Sequence, residues 1–161
     1  MRSISNLYTL GYEGLSLEAF IDRLMQAGVQ AVIDVRELPL SRKKGFSKRS
    51  FAEALRAAGL GYVHVPALGC PKPIRNQYKQ DANWTAYERK FNAYLGGQGD
   101  VVLELARTAQ ATPVCLVCYE ADFNYCHRSL VARAAMQAGG LRVVHLTSKT
   151  EIPEAPVRAA A

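Results

Sequence analysis

The stretch Cys118-Tyr119-Glu120-Ala121-Asp122-Phe123-Asn124-Tyr125-Cys126-His127-Arg128 connects a short apolar run to an amphipathic segment. The apolar run, residues 114–119, predicts a β-strand. The segment that follows carries helical apolar spacing up to the glycines at 139 and 140, with Asn124 as its candidate N-cap. The stretch therefore predicts a strand-to-helix connection whose polar side chains lie at the carboxyl end of the strand.

The same alternation of strand and helix continues on both sides of this connection. Apolar and β-branched runs predict further strands at residues 4–10, 31–35, 62–65 and 143–146. Ser16 is a candidate N-cap for the first helix, and Ser50 with Glu53 forms a capping box for the second. The proline-containing segment 66–83 is predicted to be a loop, and a helix with an aromatic stripe follows it.

Strands that alternate with helices predict a parallel sheet with helices on both faces. We expect a single-domain α/β protein of residues 1–148 with a C-terminal tail, residues 149–161. The sheet is expected to be doubly wound, mainly parallel and five-stranded, in a Rossmann-like three-layer arrangement. Its expected strand order is 3-2-1-4-5, which places a ligand crevice beside the reversal between strands one and four.

Composition excludes several classes of protein. The chain has 161 residues, of which 49% are hydrophobic and 21% charged, as in ordinary globular domains and unlike disordered or disulfide-stapled chains. No apolar run approaches the ~18 residues of a membrane helix, so no membrane partner is expected. The first residues contain no apolar signal region, which favours the cytoplasm and reduced states for the four cysteines. Composition leaves the oligomeric state open.

Positive charge is concentrated in one part of the chain. The net charge is +6, and residues 36–56 contain seven basic and two acidic residues. Such a basic segment favours an anionic partner, either a phosphate-bearing substrate or a nucleic acid. A solvated loop and helix face would produce the same pattern.

Four residues of the quoted stretch are candidate catalytic groups, namely Cys118, Glu120, Cys126 and His127. The last two fall in the first turn of the predicted helix, where free N–H groups and the helix dipole favour a thiolate. A cysteine would act as nucleophile, or Glu120 as general acid or base. Burial of Cys126 as a small apolar side chain is the structural alternative.

A second set of polar residues at the predicted strand ends could hold an anion. The candidates for substrate or anion binding are Tyr12, Asp34, Arg36, Ser41, Arg42 and Arg128. Arginine suits this role because its planar guanidinium matches phosphate and carboxylate oxygens. An ion pair between Asp34 and Arg36 that stabilises the loop is an equally simple interpretation.

The sequence contains one possible set of metal ligands and no motif for a nucleotide cofactor. Cys115 and Cys118 are three residues apart on a strand and point to opposite faces, so they do not form a Cys-x-x-Cys site. Cys118, Cys126 and His127 are an alternative metal-binding set. No Walker-type or Gly-x-Gly-x-x-Gly sequence predicts a nucleotide cofactor, and the cofactor is otherwise left open.

Several ordered motifs carry a family resemblance. They are Leu10-Gly11-Tyr12-Glu13-Gly14, Asp34-Val35-Arg36, Pro39-Leu40-Ser41-Arg42, Gly45-Phe46-Ser47-Lys48, the segment 62–69, Cys118-Tyr119-Glu120 and Cys126-His127-Arg128-Ser129. Over about residues 7–146 the chain resembles the domain-of-unknown-function family numbered 488. The resemblance implies a small cytoplasmic α/β domain and no established reaction. Cys70 departs from it, because a second glycine is expected after Gly69.

These observations favour a Cys- or Glu-dependent hydrolase or transferase acting on a phosphate-bearing substrate, a nucleotide or nucleic acid. One alternative is a non-catalytic nucleic-acid-binding module that uses the basic segment 36–56. The other alternative is a metal-binding protein that uses Cys118, Cys126 and His127.

Overall fold

The structure is a computed structural model that describes residues 4–155. Within this range the strands are β1 (Ser5–Gly11), β2 (Ala31–Asp34), β3 (Gly61–His64), β4 (Val114–Cys118), β5 (Leu141–Leu146) and β6 (Glu151–Pro153). The α-helices are α1 (Leu17–Gln26), α2 (Lys48–Ala57), α3 (Lys72–Asp81), α4 (Trp84–Gly96), α5 (Gly99–Ala111) and α6 (His127–Gln137). Short 3-10 helices span Pro66–Leu68 and Phe123–Tyr125. None of the helices described has the length and apolar character to span a bilayer.

The strands form one sheet in the order β3-β2-β4-β1-β5-β6. All neighbours pair in parallel except β5 and β6, which are antiparallel. The mainly parallel α/β sheet is thus confirmed, but the expected five strands and the order 3-2-1-4-5 are wrong. The sixth strand comes from the segment predicted to be a tail. The order differs because β4 lies between β2 and β1, where its uninterrupted apolar sequence is buried along the whole strand.

Helices cover both faces of the sheet, which confirms the layered arrangement. Side chains of α1 and α2, including Phe20 and Phe51, form a core on one face together with Cys115. Side chains of α4, α5 and α6, including Phe91, form the core on the other face together with Cys118. The two cysteines of β4 therefore point to opposite faces, as their spacing predicts.

Of the three N-cap residues predicted from the sequence, one caps a helix in the structure. The Ser16 hydroxyl accepts a hydrogen bond from the backbone N–H of Ala19 and caps α1 as predicted. The capping box predicted at Ser50 is wrong, because α2 begins at Lys48 and the Ser50 hydroxyl donates to the Ser47 carbonyl. The cap predicted at Asn124 is also wrong, since α6 begins after Cys126.

The segment predicted to be a loop before α4 contains the helix α3. No residue of α3 is fully buried. The helix therefore lacks the apolar stripe by which a helix is recognised in a sequence. This correction matters for function because α3 forms one wall of the pocket described below.

A buried histidine joins β6 to the rest of the sheet. His145 on β5 makes 2.7 Å contacts from Nδ1 to the Thr9 hydroxyl and from Nε2 to the Glu154 carboxylate. Arg133 also donates to Glu154, and the imidazole stacks on Phe123 with ring centroids 4.0 Å apart. Burial lowers the pKa of His145 against the opposing attraction of the Glu154 carboxylate.

We expect acidification to destabilise the fold through His145. The pKa of His145 is lower in the folded protein than the ~6.5 of an unfolded chain, so the unfolded state binds more protons as the pH falls below ~6.5. The free energy of unfolding, measured with urea at about pH 7.5 and about pH 5.5, should therefore fall. This decrease in the free energy of unfolding between the two pH values should be smaller in the variant His145→Gln, because glutamine cannot bind the proton. Equal losses in both proteins would contradict this origin.

Candidate functional site

The order of the strands brings three polar strand ends together at one edge of the sheet. β4 lies between β2 and β1, and Cys118 at its end is paired with Gly11 of β1. Backbone bonds extend this pairing past the strands, because the N–H of Tyr12 donates to the Cys118 carbonyl at 3.1 Å. The N–H of Glu13 donates to the Tyr119 carbonyl at 2.8 Å. The loop after β4 is therefore held directly above the end of β1.

Cys118 and Cys126 face one another across this loop. Cys126 is the N-cap residue of α6, and the two Sγ atoms are in contact. Their Cα atoms are 7.9 Å apart. Disulfide-bonded cysteines usually have Cα atoms about 4.4–6.8 Å apart, so we treat the pair as two facing thiols. Both residues are buried, with only 2% and 1% of their surface exposed.

The Glu120 carboxylate lies against both thiols. Its Oε2 is 3.3 Å from the Sγ of Cys118 and 3.3 Å from the Sγ of Cys126. The residue as a whole is exposed, but its Oε2 points toward the two sulfurs. Burial of the carboxyl raises its pKa, although the positive charge of Arg128 acts in the opposite direction.

His127 is fixed in one orientation at the start of α6. Its Nε2 lies 2.6 Å from the carbonyl oxygen of Val35, so this nitrogen carries the proton and donates it. Burial lowers the pKa of the imidazole to about 4, and Arg128 adds to the effect. The ring is therefore neutral at physiological pH, with Nδ1 as its unprotonated nitrogen.

Arg128 is fully buried, and its guanidinium is engaged by the protein itself. It donates to the Thr9 hydroxyl at 3.2 Å, to the Cys118 Sγ at 3.3 Å and to the carbonyls of Glu120 and Ala121. Burial lowers its pKa to about 10, which leaves it charged at neutral pH. These contacts fix the loop after β4 and leave the guanidinium turned away from any ligand in the pocket.

Arg36 is likewise engaged by protein groups. It forms a 2.7 Å ion pair with buried Asp34, and it also donates to the Tyr12 hydroxyl and the Phe46 carbonyl. The hydroxyl of Tyr62 donates to the same carboxylate at 2.6 Å. The ion pair predicted as the alternative role of Asp34 and Arg36 is thus present. Their part in anion binding stays a prediction.

A cavity of about 370 Å³ opens beside these groups. It contains five of the predicted site residues, namely Tyr12, Arg36, Cys118, Glu120 and His127. Five aromatic side chains form a large part of its remaining wall, namely Tyr78, Trp84, Tyr87, Tyr119 and Tyr125. Cys126 lies directly behind Cys118, whereas Ser41 and Arg42 belong to the neighbouring loop and are not part of the lining.

Two basic residues of this pocket, Arg75 and Lys79 on α3, were not predicted from the sequence. Arg75 donates to the Glu37 carboxylate at 2.7 Å. Its Nε is buried and has no hydrogen-bond partner among the residues that the structure describes. Lys72, Arg75 and Lys79 recur at helical spacing, and this basic face is the signal that could have revealed both the helix and its role.

Cys70 enlarges the set of thiols around the pocket. The preceding Gly69 packs so closely on the backbone of Glu37 that a Cβ would overlap it. Cys70 itself is buried on the pocket wall, and burial raises the pKa of its thiol to about 11. Because it is protonated at neutral pH, Cys70 serves as part of the wall rather than as a nucleophile.

Comparison with protein-family models gives a match over residues 16–135 to the model described as domain of unknown function DUF488. This range covers well over half of the chain, including the loop after β4 and most of α6. It is narrower than the expected resemblance and leaves out the motif that ends β1. No curated protein and no solved structure matches the chain.

Gly11 is expected to be required for the close approach of the loop to β1. A Cβ at Gly11 would overlap the carbonyl of Glu120, which is backbone and cannot rotate away. Gly11→Ala should therefore lower the free energy of unfolding by roughly 1–3 kcal/mol. Gly96→Ala, at a position open on all sides, is the matched control and should lose no stability. Equal urea midpoints for the two variants would contradict this.

Proposed function

The chain belongs to the family described as domain of unknown function DUF488, and we propose that it is an enzyme acting on a phosphate-bearing substrate of the nucleotide class. The proposal rests above all on Arg75, whose buried Nε has no acceptor within residues 4–155. Arg75 lines an aromatic pocket that Glu120 also lines. A ligand with a planar ring and an anionic group fits both features.

Aromatic side chains approach the cavity from two sides. Trp84 and Tyr87 of α4 stack with ring centroids 4.8 Å apart, and Tyr125 meets Trp84 edge-on. On the other side, Tyr119 packs edge-on against Tyr12 at 5.4 Å. Aromatic faces bind nucleobases by stacking, with about 1–3 kcal/mol per base. The volume of the cavity lies within the range of ~300–1,000 Å³ typical of small-molecule sites.

The basic face of α3 supports binding of the phosphate. An unsatisfied buried donor costs about 1–3 kcal/mol, which an acceptor oxygen of a ligand at the Arg75 Nε would recover. Lys79, one helical turn further on, contributes a second positive charge to the same wall. Arg128, which donates to backbone carbonyls of the loop, adds positive potential near the pocket, whereas the Asp34 carboxylate offsets the charge of Arg36.

Among the predicted catalytic groups, Glu120 is the best placed to meet a substrate. Cys118 and Cys126 are almost entirely buried, and their sulfurs contact one another. Glu120 reaches the pocket from the surface loop and is held in place by Arg128 through its backbone. We therefore assign proton transfer to Glu120, in a hydrolase or transferase, and a supporting role to the thiols.

Trp84 provides a direct test of binding because it is the only tryptophan of the chain and lines the pocket. The four nucleoside monophosphates should change its fluorescence on titration and bind more tightly than the corresponding nucleosides. Arg75→Gln should weaken nucleotide binding by roughly 10-fold or more, since a charge-assisted hydrogen bond is lost. Nucleoside binding should be unaffected.

Arg107→Gln is the matched control, since Arg107 is exposed on α5 and is not part of the pocket lining. It should leave all the dissociation constants unchanged. Equal affinity for nucleotides and nucleosides in the wild-type protein would contradict the phosphate contact. An unchanged Trp84 signal with every ligand would contradict the substrate class.

Glu120→Gln should separate catalysis from binding. The variant keeps the size of the side chain and removes its ability to transfer a proton. It should bind the nucleotide with unchanged affinity and convert it at least roughly 100-fold more slowly, as followed by chromatography of bound nucleotide over time. Glu53→Gln, at an exposed position on α2, is the control. Equal rates for the variant and the wild type would remove Glu120 from the mechanism.

A non-catalytic nucleic-acid-binding module is the second candidate function. Five basic residues of the segment 36–56 are exposed, namely Arg42, Lys44, Lys48, Arg49 and Arg56. Arg36 of the same segment is buried and unavailable for this role. An exposed basic surface of this kind binds phosphate backbones without requiring a pocket.

This second candidate predicts affinity for a labelled single-stranded oligonucleotide that decreases steeply with salt concentration. Lys44→Ala and Lys48→Ala should each lower the slope of log K against log salt by about 0.7, because one phosphate contact is lost. Arg75→Gln should have no effect in this assay. Binding that is absent, or independent of salt, would exclude the module.

A further inference from the structure

We propose that Cys118, Cys126 and His127 bind a zinc ion at the base of the pocket. The inference goes beyond the proposed function and does not depend on the nucleotide class of the substrate. It is based on the donor atoms that these three residues bring together and on the groups that surround them.

The three donor atoms converge on one point inside the protein. One sulfur from each cysteine and one ring nitrogen of His127 all lie within 4.8 Å of one another, and all three residues are buried. Two thiolates bound to tetrahedral zinc lie about 3.8 Å apart, given Zn–S bonds of about 2.3 Å. The Cα separation of 7.9 Å between the cysteines exceeds that of a disulfide, so a small side-chain rotation would move the sulfurs, now in contact, to the spacing that zinc requires.

The neighbouring hydrogen bonds are those that zinc ligands typically make. A metal-bound histidine usually donates its second ring N–H to a carbonyl or carboxylate. His127 does so through Nε2, which donates to the Val35 carbonyl and leaves Nδ1 for the metal. Arg128 donates to the Sγ of Cys118 at 3.3 Å, as N–H groups do to metal-bound thiolates.

The local charge also favours a divalent cation. Metal binding would deprotonate both cysteines, and the two thiolates with the Glu120 carboxylate would then carry three negative charges next to the one positive charge of buried Arg128. Uncompensated charge is costly in a buried site, and one divalent cation would bring the total to zero. Two soft sulfur ligands and an imidazole select zinc over magnesium or calcium, which bind oxygen.

The fourth coordination position faces the pocket. Glu120 Oε2 lies 3.3 Å from both sulfurs, so the carboxylate either completes the tetrahedron or stands next to an exchangeable fourth ligand. Three protein ligands with a fourth position open to a cleft are typical of catalytic zinc, whereas structural zinc has four protein ligands.

The test uses the full chain purified under reducing conditions without chelator. Elemental analysis should find about one zinc per chain, and the metal-free protein should take up one equivalent of Co²⁺. The cobalt form should show thiolate-to-metal charge transfer and the visible bands of tetrahedral Co²⁺. Cys118→Ser and Cys126→Ser should weaken metal binding by at least roughly 100-fold. Cys70→Ala, at a buried thiol on the same pocket wall, should bind metal like the wild type.

Two results would overturn the proposal: reduced, folded wild-type protein that binds neither zinc nor cobalt, or serine variants that bind as tightly as Cys70→Ala. If the serine variants do not fold, X-ray absorption of the zinc-loaded wild-type protein decides the matter. Two sulfur neighbours support the site, and a shell of nitrogen and oxygen alone refutes it. Trp84 fluorescence with nucleotides tests the proposed function separately, so either idea can fail without the other.

Discussion

The buried guanidinium of Arg128 is the contact on which the geometry of the whole pocket edge depends. It extends from the start of α6 to the Thr9 hydroxyl of β1 and to the carbonyls of the loop after β4. A fully buried charge must be compensated by several hydrogen bonds, and each of these bonds fixes a different element. The loop that carries Glu120 is therefore held by several hydrogen bonds even though it lies at the surface. Together with the backbone bonds from Tyr12 and Glu13, this side chain holds Cys118 and Glu120 in their relative positions.

Much of the fold was predictable because short stretches of the sequence carry the patterns typical of strands and helices. Alternating apolar runs and helical stripes predict the layered α/β architecture, and the spacing of Cys115 and Cys118 predicts their opposite faces. The strand order was not predictable from such patterns, because a parallel crossover can skip a neighbouring strand. The most informative clue was the fully apolar sequence of β4, since only a central strand is buried on both faces. The helix α3, which buries no residue completely, carried no apolar signal.

The site was predictable to a similar extent. The sequence identifies the polar residues at the strand ends, and the structure brings five of them to one pocket. The sequence does not reveal which arginine N–H donors already bind acceptors within the protein. Arg36 and Arg128 have the chemistry of anion-binding residues, but Asp34 and the carbonyls of neighbouring loops accept their hydrogen bonds. Arg75 has the same chemistry, but one of its donors has no partner in the part of the chain that the structure describes, and only tertiary contacts distinguish the three arginines.

The two edges of the sheet bear on how this protein behaves at high concentration. The edge strands β3 and β6 contain four and three residues, and β6 ends in Pro153, which has no backbone N–H to donate. A second chain that added a strand at either edge would gain only a few backbone hydrogen bonds. Growth of the sheet from one molecule to the next is thus weakly favoured. The short β6, which was not predicted from the sequence, pairs with the longer β5 and so keeps β5 from being an edge strand open to such aggregation.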